Sequence, residues 1–146
     1  RWLGQRAEER AIRQAACAQL AQVGLAHLAD WPASALPFGQ RRMVELARAL
    51  ATEPEMLLLD EPASGLNTRE KEELATLIRQ IRDRGITILL VEHDMSVVMG
   101  LSDNVIVLHH GCTIAEGAPA IVQNDPRVIS VYLGAESQDV ATGQEP

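Results

Sequence analysis

Apolar residues recur along this chain in two rhythms, and the changes between them mark out its elements. From residue 3 to 28 the spacing is helical: Leu3, Ala7, Ala11, Ala15 or Ala16, and Leu20 share one stripe, with Arg6, Glu9, Arg13 and Gln14 off it. Trp31-Pro32-Ala33-Ser34 and then Pro37 break the pattern, so residues 30 to 39 form a loop. A second helix is expected from about Gln40 to Ala51, burying Met43, Leu46, Ala47 and Leu50, with Pro54 just past its end. Met56 to Leu59 is a short unbroken apolar run, the form of a strand buried on both faces. Asn67 with Glu70 three residues on reads as a capping box opening a helix, which Gly85 closes. Ile86 to Val91 repeats the buried-strand form, a short helix follows through Val97 and Val98, and Val105 to Leu108 supplies a third apolar strand.

That β-α-β-α-β alternation predicts an α/β fold with a parallel sheet and right-handed crossovers. After the turn-like pair His110-Gly111, Thr113 to Ala115 returns as a hairpin strand, and helical pieces are expected at Ala118 to Gln123 and Pro126 to Leu133. From Glu136 the composition turns polar, which predicts a disordered tail.

Composition narrows what such a chain can do. With 146 residues, 47% of them hydrophobic, there is enough for one compact core. A net charge of -7 leaves no general basic field for nucleic acid, so no nucleic-acid partner is expected and any anion chemistry must be local. Nothing approaches the run of about 20 apolar residues that spans a bilayer, so a membrane role would come through a partner. Cys17 and Cys112 have no paired spacing, as expected of reduced thiols in the cytosol. The chain starts at Arg1 and reads as a piece of something longer.

Candidate chemistry gathers at the ends of the strands. Two acids, Asp60 and Glu61, end the first apolar run, where one carboxylate could hold a metal through its water shell and the next could take a proton from water. Taken alone, Asp-Glu-Pro equally describes a strand that stops in solvated acids. Gly39-Gln40-Arg41 stands at a helix start, where backbone N–H groups and the helix dipole favour a phosphate, although an ordinary loop and cap would use the same residues. His93 follows the second strand and could contact a terminal phosphate or orient water. His109, His110 and Cys112 invite a metal reading, but side chains alternate across a hairpin and no fourth ligand is evident.

Four phrases in order, Leu36-Pro37-Phe38-Gly39-Gln40-Arg41-Arg42, Met56-Leu57-Leu58-Leu59-Asp60-Glu61-Pro62, Ser64-Gly65-Leu66-Asn67 and Val91-Glu92-His93-Asp94, together resemble the ATPase subunit of an ABC transporter. The resemblance covers roughly residues 7 to 134 and implies a P-loop nucleotide-hydrolase core, here its C-terminal half, preceded by the end of the helical subdomain. It implies that Leu36, Pro37, Phe38, Gly39 and Gln40 form the signature that binds the γ-phosphate of ATP held by a second ATPase subunit. Pro37 and Phe38 replace the usual Ser and Gly, which removes a hydroxyl contact. It further implies that Asp60 holds Mg²⁺ through water, that Glu61 is the general base, that Ser64, Gly65, Leu66 and Asn67 form the D-loop at the dimer interface, and that His93 is the switch histidine. Asn67 stands where Asp is usual.

Branched-chain amino acid importers are the subfamily most resembled, through Leu-x-aromatic-Gly-Gln, Gly-Leu-Asn, Glu92-His93-Asp94-Met95, Val98-Met99 and Tyr132-Leu133-Gly134. On that resemblance, transmembrane permease subunits are partners and the protein sits at the cytoplasmic face of the membrane. The family's phosphate-cradling loop, Gly-x-x-x-x-Gly-Lys-Ser/Thr, is absent, and the only lysine is Lys71, between two acids. The expected organisation is therefore 1–38 as the end of the helical subdomain with the signature loop, 39–117 as the Walker B half of the core, 118–134 as a helical extension and 135–146 as the tail. An ABC ATPase of repair or translation and a non-catalytic interaction module are the competing classes.

Overall fold

A computed structural model describes residues 2–131. The expected tail, and the end of the helical piece running to Leu133, lie outside the described residues. Those described fall into two compact units, one ending at Glu92 and the other beginning at His93.

The first unit opens with helix α1, Trp2–Gln22. The helical spacing suggested a helix to residue 28, yet α1 stops six residues earlier. Gly24 takes φ 77°, the Leu25 N–H reaches back to the Leu20 carbonyl at 2.8 Å, and the Gly24 N–H donates to the Ala21 carbonyl at 3.1 Å. That pair of bonds is a Schellman stop, which a left-handed glycine makes inexpensive. Ala26–Leu28 continues as a single 3-10 turn. The expected stripe is also not a buried one, since Ala7, Ala11, Ala15 and Ala16 are exposed and Ile12 is 64% exposed. A methyl group has little area to bury, so an alanine stripe binds weakly to any neighbour.

Helix α2, Phe38–Leu50, begins two residues before the expected Gln40, with Pro37 as its N-cap. It buries Gly39, Leu46, Ala47 and Leu50, while Met43 is half-buried. Strand β1, Met56–Asp60, then pairs in parallel with β2, Thr87–Val91, in the register Leu57 to Ile88 and Asp60 to Val91. Between them runs α3, Thr68–Asp83, which buries Leu74, Leu77, Ile78 and Ile81. Its predicted start is present in both halves: the Asn67 side chain accepts the Glu70 N–H at 3.0 Å, and Glu70 Oε2 accepts the Asn67 N–H at 2.9 Å. At the far end the Arg84 side chain donates to Gln22 Oε1 at the close of α1.

The two apolar runs were expected to be buried on both faces, and only one face is. Leu57 is 5% exposed and Leu59, Ile88 and Leu90 are half-buried, whereas Leu58 is 70% exposed, Val91 55%, Leu89 48% and Met56 46%. Strand side chains alternate, so one set of residues meets the helix-covered side and the other set faces outward.

The second unit contains α4, Met95–Leu101, then β3, Val105–His109, β4, Cys112–Gly117, and α5, Pro119–Val122, with residues 126–131 also helical. The third apolar strand exists, but it does not join the parallel pair. It pairs antiparallel with β4, as the predicted hairpin, around His110 at φ 47° and Gly111 at φ 78°. Both positive angles suit the two-residue turn that matches strand twist, and so short a loop closes at little entropic cost. Val105, Ala115, Val122 and Val128 form the core of this unit.

The two faces of β1 should answer differently to mutation. Leu57→Ala is expected to cost about 2–5 kcal/mol of stability, whereas Leu58→Ser should stay within about 0.5 kcal/mol. Equilibrium urea unfolding of the two variants measures both, and equal losses would contradict the assigned faces.

Candidate functional site

Parallel pairing brings the carboxyl ends of β1 and β2 to one edge, and the polar residues of interest follow directly from it. Asp60 closes β1 opposite Val91 and is exposed. Glu61 steps out of the strand with φ 44°, in the left-handed region that costs a non-glycine residue about 1–2 kcal/mol. Several bonds hold it there. Its N–H donates to the Val91 carbonyl at 2.9 Å, its carbonyl accepts the Ser64 N–H at 3.1 Å, and the Leu66 N–H closes a further turn on the Ala63 carbonyl at 3.2 Å. Ala63 and Leu66 are buried and anchor the loop beneath. A strained residue so over-determined by its surroundings keeps its direction.

A further tie comes from a residue with no separate role in the sequence reading. Glu92 Oε1 accepts the Ala63 N–H at 2.8 Å, so the acid that follows β2 supports the loop that follows β1. Its signal was present in the sequence, as an acid directly after a buried strand, but only the parallel register reveals its partner.

The predicted signature segment lies in the same unit. Leu36 is buried, Pro37 and Phe38 are exposed, Gly39 is buried and Gln40 half-buried. The first intrahelical bond of α2 runs from the Arg41 N–H to the Pro37 carbonyl at 3.0 Å, so the amides of Phe38, Gly39 and Gln40 have no acceptor within the helix. No acid occupies that first turn. The Arg41 and Arg42 guanidinium carbons lie 6.0 and 5.4 Å from the centre of the Phe38 ring. Of the predicted D-loop, Gly65 has φ 75° and sits under Phe38, since a Cβ there would meet ring atom Cε1 at 3.0 Å. The bare side of Gly39 faces the Glu70 carboxylate, whose Cδ lies 2.8 Å from where a Cβ would stand.

His93 opens the second unit and is exposed. The next residue, Asp94, caps α4 by accepting the Ser96 N–H at 3.0 Å and the Val97 N–H at 3.4 Å, a structural role that sequence reasoning did not assign. Among the described residues no three His, Cys, Asp or Glu side chains are grouped to hold a metal, and the rings of His109 and His110 are tilted at 57° to each other with centres 4.1 Å apart.

A parallel strand pair joined by a crossover helix, with adjoining acids at its carboxyl edge, is the arrangement this chain shares with ATP-binding cassettes of the P-loop nucleotide-hydrolase fold. Comparison with known proteins agrees with that class. The family described as ABC transporter matches residues 3–64, and the one described as branched-chain amino acid ATP-binding cassette transporter matches residues 112–137. The chain is 46% identical over 130 residues to the high-affinity branched-chain amino acid transport ATP-binding protein LivG of Escherichia coli strain K12, covering 88% of this chain and 51% of that protein. It is 42% identical over 130 residues to BraF of Pseudomonas aeruginosa, a protein of the same description, with the same coverage. Among solved structures, the ADP conformation of MJ1267, an ATP-binding cassette of an ABC transporter, superposes with a TM-score of 0.77 at 34% identity, covering 83% of this chain and 49% of that one. This chain belongs to the ATP-binding cassette family of ABC transporters. It spans about half the length of the curated relatives it matches.

The support for Glu61 can be checked directly. Glu92→Ala, which leaves the Ala63 N–H without its acceptor, should lower stability by about 1–3 kcal/mol. Glu92→Gln should retain most of it, since an amide oxygen can still accept. Urea unfolding distinguishes these outcomes, and an unchanged midpoint for Glu92→Ala would remove Glu92 from the site.

Proposed function

We propose that this chain is the C-terminal portion of the ATPase subunit of an ABC importer for branched-chain amino acids or related small solutes. The observation that carries this reading is Glu61, pinned in a strained conformation beside Asp60 at the carboxyl edge of a parallel strand pair. An acid held off the strand at fixed direction is suited to accept the proton of a water attacking a phosphoryl group, where positioning supplies most of the catalysis. Asp60 fits a hard divalent cation such as Mg²⁺, because it offers only oxygen donors and remains open to the waters such an ion keeps. When bound, Mg²⁺ neutralises charge developing on the phosphates.

The signature serves a different nucleotide in this reading. The amides of Phe38, Gly39 and Gln40 at the start of α2, next to Arg41 and Arg42, suit the terminal phosphate of ATP carried by a second ATPase subunit. Pro37 in place of serine leaves this contact to the backbone and its neighbours. Ser64 to Asn67 meets the partner across the dimer, and His93 orients the attacking water or touches its phosphate. The names of LivG and BraF, together with the match over residues 112–137, support the solute class. In this reading transport runs through permease subunits, with the protein at the cytoplasmic face of the membrane; no described helix is long and apolar enough to cross a membrane. Residues 1–38 act as the end of the helical subdomain, 39–117 as the Walker B half of the core and 118–134 as the helical extension.

In the full-length subunit, Glu61→Gln should lower turnover by at least the ~10²-fold typical of a lost general base while ATP binding persists. Near-normal turnover would remove Glu61 from that role. The 146-residue chain alone should release no phosphate from ATP, because its single lysine, Lys71, lies in α3 between two acids and is not part of a phosphate-cradling loop. Magnesium-dependent phosphate release from the pure chain would overturn this assignment of the fragment.

A further inference from the structure

Two contacts join the start of α2 to the start of α3, although some thirty positions of sequence separate them. The first is the Phe38 ring lying over Gly65. At φ 75° that position favours glycine on backbone grounds, and the ring leaves a Cβ little room as well, its Cε1 standing 3.0 Å from where one would lie. The ring is flanked by Arg41 and Arg42. The second contact is the Glu70 carboxylate against Gly39. Capping α3 requires only Glu70 Oε2; the other oxygen, Oε1, is turned to the bare side of Gly39, where a methyl group would overlap it. Gly39 is helical and buried, so nothing in its own conformation demands glycine. Its missing side chain is what admits Glu70.

We propose that Phe38 and Glu70 are positioning residues that clasp the turn at 36–40 to the turn at 64–67, so that both present one rigid surface to the partner subunit's nucleotide. This rests on the ATPase reading above. In this role neither side chain touches the nucleotide; each acts through a glycine of the segment opposite. Glu70 thereby has two tasks, ending the 64–67 turn as a helix cap and setting its distance from α2.

The clasp is tested in the full-length subunit and in this chain. Phe38→Ala and Glu70→Ala should each lower kcat about tenfold with a smaller change in KM for ATP, as expected when reacting groups are misplaced and not removed. Glu70→Gln, which keeps the shape and the cap, should restore most of the turnover. Because the two residues act through one clasp, the double variant should fall no further than the worse single. A Glu70→Ala variant with near wild-type kcat, or independent losses that multiply in the double variant, would overturn the proposal. In this chain, Gly39→Ala should lower Tm in the wild-type background and leave it unchanged in the Glu70→Ala background, where the space has been vacated. Equal shifts in both backgrounds would refute the Glu70–Gly39 contact. Absence of ATPase activity in the wild-type subunit would instead count against the functional reading, while the Tm comparison still decides the contact.

Discussion

The arrangement depends on the parallel pairing of β1 with β2. Two strands running the same way must be joined by a crossover, and α3 is that crossover, so the loop leaving β1 and the residues leaving β2 emerge at the same edge. Antiparallel pairing would have sent Asp60 and Glu92 to opposite ends of the strands. Because they share an edge, the Glu92 carboxylate can take the Ala63 amide, and the Val91 carbonyl can take the Glu61 amide. The left-handed backbone of Glu61 is tolerated because two strands hold it. Direction at the site is thus a property of the sheet and not of the loop alone.

The start of α3 is set locally, and with it the neighbourhood of α2. Asn67 and Glu70 form a reciprocal cap that settles the first turn of α3, and Gly65 supplies the bend just before it. Phe38 and Gly39, at the head of α2, lie against these residues. The aromatic side chain at position 38 is accommodated because the facing position, Gly65, is glycine. The two small residues differ in reason: Gly65 is favoured by its backbone angle as well as by the close ring, Gly39 only by its neighbour.

Much of this was legible in the sequence wherever the signal is local. The capping box at Asn67 and Glu70, the stop at Gly85 and the hairpin at His110-Gly111 each depend on neighbours within a few residues, and each was readable from residue type and spacing. The length of α1 was misread because alanine continues a helical pattern cheaply while Gly24, one residue, ends it. Long-range contacts were not readable. Nothing in the spacing of Glu92 announces Ala63, and nothing in Gly39 announces Glu70, because such pairs exist only after the strands take their register. The site residues as a set came from ordered motifs, a resemblance, and the local chemistry of each left bland alternatives standing.

The apolar runs teach the converse lesson. Met56 to Leu59 and Ile86 to Val91 carry hydrophobic residues on both sides of the strand, a pattern that signals cover on both faces. Among the described residues one face is covered, and Leu58, Leu89 and Val91 remain exposed on the other. An unbroken run is therefore a statement about the environment for which the strand is suited, and half of that environment is lacking among the described residues. The chain spans about half the length of relatives such as LivG and BraF, and a second layer on that face is what the run is patterned to receive. An apolar face of this kind tends to associate with whatever apolar surface it meets. The carboxyl edge differs, since Glu61 is held by bonds from β2 and from its own loop, all inside one unit, and its geometry does not depend on covering the bare face.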